Sequence, residues 1–354
     1  MLNRALLTVV ILCVISMALA SAQSVDAPRA SAAPIIKSRI DAGPWTTATA
    51  IYPSKGQSVT LRVDQVSGAT IRWYQIVPDT SQIYKNANHP WEANPYKWLG
   101  LAKIKYSRTE LTEFRGKWEV QPFRGTKSTA DRNKLVGAIE AVAKAVAGPP
   151  YNHTDVGSFW FQVEIEKAGG IQKSAGIEDS DKRGLSPKVF RVSIRDGEGY
   201  IGYLTSFLNV PGLFGSVPYQ THNYIGADCC DVLVAAYGKW KNKTIEKDYS
   251  VAMLVSQLRK SAEFDLKDGK PNKDFKWGKH IHPGNFIAVR FNEKNGYQHI
   301  GALFSDADKN GILSDGDLVL HAGPAPLHYS YLKEGKFDGH VVVLDHQSAK
   351  FGSR

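Results

Sequence analysis

The sequence predicts an α+β fold in which helices precede an antiparallel sheet, with a β-rich segment ahead of both. Three observations predict it. Residues 58–63 and 69–76 alternate apolar and polar side chains across a Ser67-Gly68 turn, the pattern of half-buried strands. Cys229 to Tyr237 is an apolar helical run opened by Asp228, an N-cap residue type, and a second helix is expected over 249–259. Four strand-like runs at 285–291, 297–304, 317–321 and 340–345 then follow the helices rather than alternate with them.

Taken in order along the 354 residues, the first 22 read as a secretory signal. Arg4 supplies the basic end, Ala5 to Ala18 the apolar stretch, and Ala20-Ser21-Ala22 the cleavage site. An uncleaved anchor is the alternative; Ile11-Leu12 ahead of Cys13 speaks against a lipoprotein. No later run reaches the roughly 18 apolar residues of a membrane span. The mature chain is therefore expected to be secreted or periplasmic, with no membrane span.

Residues 23–35, rich in Ala, Ser and Pro, form an expected linker. A β-rich domain follows over 36–196, with further strands at 158–166 and 188–195. Its strand-turn-strand pattern around Trp73 suggests an immunoglobulin-like sandwich without the paired cysteines. A helical insertion spans 129–147: Leu135, Val136, Ile139, Val142, Ala143 and Val146 share one face, and Gly148-Pro149-Pro150 ends it. Trp91, Tyr96 and Trp98 lie in a Pro- and Asn-containing loop. They either stack on sugar rings or, the favoured expectation, pack on their own domain.

The net charge of +10 suits anionic cell-wall polymers or membrane surfaces. Lys and Arg are spread along the chain rather than clustered, so nucleic acid is not an expected partner. Cys13 falls in the signal, leaving Cys229 and Cys230, which are adjacent. Neighbours cannot supply a disulfide framework. A cysteine on the first turn of a helix has its thiolate stabilised by free N–H groups and the helix dipole. Cys229 is assigned as the exposed nucleophile and Cys230 as a buried small side chain. Helical neighbours point about 100° apart, so the two thiols are expected to diverge. A one-residue change of helix phase would exchange the roles.

Gln298-His299-Ile300-Gly301 and Leu320-His321-Ala322-Gly323 each set a histidine in a strand-like run. Cysteine, base histidine and a polar orienter together make a thiol catalyst. These residues resemble the NlpC-type cysteine peptidases of bacterial cell walls. Asp228-Cys229 is similar to the family's Asp-Cys-Ser-Gly helix start, His299-Ile300-Gly301 to its His-Val-Gly strand, and His321-Ala322 to its third polar element. The resemblance runs from about Gly199 to Leu344. Cys230-Asp231 replaces Ser-Gly, and Pro211 to Ser216 stands where the family has Pro-Tyr-x-Trp-Gly-Gly.

The resemblance implies a papain-like domain over 197–354. It implies a Cys229, His299, His321 hydrolase that cuts amide bonds in peptidoglycan stem peptides and needs no cofactor for catalysis. Two rivals stay open: a non-catalytic wall- or protein-binding module on the same fold, and a thiol acyltransferase or transglutaminase-like enzyme.

Between the two histidines, Asp306 to Asp317 has the spacing of a calcium loop. Side-chain oxygens come from Asp306, Asp308, Asn310, Ser314 and Asp317, a carbonyl from Ile312, and Gly311 holds the sixth position. A structural Ca²⁺ is expected; a polar hairpin is the alternative. His280 and His282 lack a third ligand nearby and are assigned to packing or surface roles. His222 is placed near the cleft.

Overall fold

The computed structural model describes residues 32–124, 151–291 and 295–352. The signal segment and the helix expected at 129–147 lie outside the described residues. From Ala33 onward the chain forms one compact unit.

The first half consists of two sheets facing each other. Lys37–Ile40, Val59–Arg62 and Glu119–Phe123 make an antiparallel three-stranded sheet. Opposite, Ala50–Ile51, Phe190–Ile194, Gly157–Lys167, Thr70–Pro78 and Tyr106–Glu110 lie side by side, with Gly170–Lys173 also paired to Gly157–Lys167. The alternation read from the sequence sends Val59, Leu61, Ile71, Trp73, Phe161 and Val163 into the core between them. Trp73 is fully buried, and its indole N–H donates to the Lys117 carbonyl at 2.8 Å, so no polar group is stranded there.

Four helices follow among the described residues: α1 (Gly199–Thr205), α2 (Pro218–His222), α3 (Cys229–Trp240) and α4 (Val251–Gln257). Every residue of α3 from Cys230 to Gly238 is buried, as expected of a helix apolar on all sides. The Asp228 carboxylate accepts from the N–H groups of Cys230 and Asp231 at 3.1 and 3.0 Å, which fixes the start of α3.

The second half is organised by a seven-stranded sheet. Its order is Lys270–Pro271, Lys260–Lys267, Gly339–Leu344, Phe286–Arg290, His299–Ser305, Leu318–His321 and His328–Tyr331. Both faces are apolar. Phe286, Ala288, Val342 and Leu344 join the core that contains α3, while Ile287, Val289, Val341 and Val343 form a separate core with Leu332 and Phe337 on the other face.

This architecture corrects the expected fold class. Strand makes up 35% of the structure and helix 15%, and the second half is a curled antiparallel half-barrel, not a papain-like α+β arrangement of helices and then sheet. Lys260–Lys267 explains much of the difference. Ala262, Phe264 and Leu266 alternate inward along it, a strand pattern masked by its direct continuation from α4. His328–Tyr331 and Lys270–Pro271 add two more strands to the four expected.

The boundary expected at 196/197 passes through a shared core. Ile76, Val156, Trp160 and Val189 cluster with Leu204, Leu233, Phe286 and Phe351. Among the described residues no helix is long and apolar enough to cross a membrane.

Candidate active site

Three elements meet at the start of α3. Cys229 is half-buried at its first position, and neither cysteine is in a disulfide. His299 opens one strand and His321 closes the next. Ala302 pairs with Leu320 and Leu303 with Val319, which leaves Gly301 beside His321. A methyl group at Gly301 would lie 2.8 Å from His321 Cβ and 2.9 Å from Val319 Cγ1, too close for either to stay in place. Gly301→Ala is therefore expected to cost about 1–3 kcal/mol of stability and to slow turnover by displacing the His321 ring. A variant with the parent's melting temperature and rate would show that this close approach sets nothing.

The side chains form a continuous relay. His299 is near enough to the Cys229 thiol to favour its ionised form. His299 Nε2 lies 2.9 Å from His321 Nδ1, and His321 Nε2 lies 2.8 Å from Ser330 Oγ. His321 is almost fully buried; burial, helped by the nearby His328 and His299, holds its pKa well below the ordinary histidine value. It is therefore neutral at pH 7, with one nitrogen accepting and one donating. If Nδ1 accepts from His299 Nε2–H, its own Nε2–H donates to Ser330, and His299 Nδ1 is left facing the thiol. Ser330 was not foreseen, because the strand that carries it was not. The only signal was a short His-Tyr-Ser-Tyr alternation two residues after Pro326.

The electrostatics around the thiols are unequal. The hydrogen bond from the Cys230 thiol does most to bring Cys229 well below the usual cysteine range, against burial, with further help from His299 and the Ile300 backbone. The same contact, together with burial, drives Cys230 well above that range. The angle between helical neighbours applies to the Cα–Cβ directions and leaves sulfurs free to converge through side-chain rotation.

Two acids share the helix start. Burial, and then the charge on Cys229, push Asp228 up to about 8. Burial also raises Asp231 well above a normal carboxyl, and its Oδ2 accepts from Ser216 Oγ at 2.6 Å. Cys230 and Asp231, which replace a small pair in the motif, are both buried.

The acidic loop joins the strands of His299 and His321. Carboxylate oxygens of Asp306, Asp308 and Asp317 lie within 4.8 Å of one another, close enough to share a cation. Asp317 is fully buried and accepts from Trp277 Nε1, Ser314 N and Ala307 N; burial dominates and raises it to about 6. Asn310 Nδ2 and Ser314 Oγ both donate to Asp308 Oδ2, at 2.8 and 2.7 Å, so they border the same cluster. Ile312 donates its N–H to Asn310 Oδ1 and bridges to Lys276.

Other expectations fall outside this site. Trp91 packs on its own domain as expected, stacked on His89, though 69% exposed; Tyr96 and Trp98 are 65% and 53% exposed, which corrects the expectation for them. His89 is buried between Trp91 at 4.6 Å and Phe214 at 4.4 Å. His280 Nδ1 accepts from the Lys276 N–H, and neither His280 nor His282 joins a metal-capable cluster among the described residues. His222 contacts Lys239, near the opposite end of α3 from Cys229. Comparison of the chain with protein-family models, with curated proteins and with solved structures finds no match.

Proposed function

We propose that the protein is a cysteine hydrolase of amide bonds, acting after export on peptidoglycan stem peptides. The observation that carries this reading is the relay from Cys229 through His299 to His321. The Cys229 thiolate attacks the amide carbonyl, the C–N bond breaks, and the proton held on His299 passes to the leaving amine. His299 then takes a proton from water, whose oxygen attacks the thioester; the C–S bond breaks and releases the Cys229 thiolate beside protonated His299. His321 keeps His299 in the required tautomer. The Cys229 N–H lies in the first turn, where no intrahelical acceptor exists, and is free to bind the oxyanion.

The substrate class rests on the resemblance of the Cys, His, His motifs to cell-wall peptidases and on the basic surface. Mass spectrometry of purified peptidoglycan after incubation is the direct test. New free amine and carboxyl ends, absent with Cys229→Ala, are expected. Intact peptidoglycan and intact model peptides, with Cys229 still reactive to iodoacetamide, would sink the hydrolase and leave a binding module. Capture of the acyl group by an added primary amine would make the protein a transferase.

The proposal includes a structural calcium ion held by Asp306, Asp308 and Asp317, remote from the chemistry. Such loops outside cells bind at about 10⁻⁴–10⁻³ M, so millimolar calcium is expected to raise the melting temperature relative to chelator. Asp308→Ala is expected to remove that rise and spare Cys229 labelling. An unchanged melt in calcium would reduce the loop to a polar hairpin.

A further inference from the structure

We propose that Lys239, His222 and Arg191 form an oxyanion subsite that takes a phosphate group, remote from Cys229. Lys239 is near the far end of α3, about 15 Å along the helix from Cys229. Its Nζ lies 3.1 Å from His222 Nε2 at the end of α2. Arg191 projects from the Phe190–Ile194 strand, is 7% exposed, and has its guanidinium 3.7 Å from the centre of the Tyr224 ring. Lys239 Nζ is 5.7 Å from the same ring, and Phe207 stacks on that ring at 4.0 Å.

A buried guanidinium and a half-buried ammonium therefore share the Tyr224 ring. Among the ion pairs of the described residues none joins a carboxylate to either of them. Buried charge without a counter-charge is costly, and a second like charge beside it adds repulsion. The donor count points the same way. Arg191 spends three of its five N–H groups on neutral acceptors: Ser193 Oγ, the Asn223 carbonyl and Tyr52 OH. Lys239 spends one of three on His222. Two N–H groups on each side chain remain for the oxygens of one anion. Burial, followed by the charge of Arg191, lowers Lys239 to about 7, as expected of a cation lacking its counter-ion.

The test uses the full mature chain and two probes, inorganic phosphate and glycerophosphoglycerol, against chloride at equal ionic strength. A melting-temperature rise of about 2 °C or more is expected with about 20 mM phosphate. A comparable rise with the diester identifies a phosphodiester polymer as the source; a rise with phosphate alone identifies a free phosphate group. Lys239→Gln is expected to lose the response, and Lys182→Met, at an exposed position, to keep it. His222→Glu supplies a carboxylate next to Lys239. It is expected to be more stable than the parent without phosphate and indifferent to it, and so serves where Lys239→Gln does not fold. No response in the parent, or an undiminished response in His222→Glu, would overturn the subsite.

Discussion

Cys229→Ala is expected to lower turnover by about 10⁴-fold or more and to abolish iodoacetamide labelling at neutral pH. No other group in the relay supplies a nucleophile. Cys230→Ala tests the electrostatics, since the Cys230 thiol is the largest influence lowering Cys229. A lowered thiol is ionised well into the acid range, so labelling of the parent should persist as pH falls below neutrality. Without the Cys230 hydrogen bond the midpoint of labelling moves to higher pH. The variant is then slower to label at pH 7 and a weaker enzyme, while the His299 contact remains. Label on Cys230, with activity surviving in Cys229→Ala, would reverse the assignment of the two cysteines.

Residues 197–354 produced alone are expected to give no cooperative melt. The core around α3 would lose Ile76, Val156, Trp160, Leu185 and Val189, each buried in it. Deleting a single large buried side chain typically costs about 2–5 kcal/mol, against a total stability of about 5–15 kcal/mol. Losing five together leaves no margin. A sharp melt from that fragment, with Cys229 still labelled, would show that the halves are separately stable despite the shared core.

Local chemistry was legible in the sequence where one residue type dictates one conformation. Asp228 marked the start of α3, and alternation located the strands around Trp73. The spacing of His299 and His321 placed them on neighbouring strands joined by the acidic loop. What escaped depends on tertiary context. Lys260–Lys267 is amphipathic with a period of two, yet its continuity with α4 hid the change of period. Curling of the sheet depends on seven strands acting together, so no single segment announces it. Ser330 matters only because His328–Tyr331 pairs with Leu318–His321, a long-range fact. The influence of Cys230 on the Cys229 thiol depends on side-chain torsions, on which residue order is silent.

The two borders of the seven-stranded sheet bear on how the protein behaves when crowded. An unpaired border strand offers a row of N–H and C=O groups on which another chain can build. Here Lys270–Pro271 covers only Leu266 and Lys267, with a proline that has no N–H to offer, and leaves the rest of Lys260–Lys267 as the border. At the other border the rings of Tyr151 and His153 lie against His328 and Tyr329. The uncovered strand exposes Lys260, Glu263 and Asp265, charges that oppose pairing with another chain, so this sheet is poorly suited to seed cross-β polymers even at high concentration.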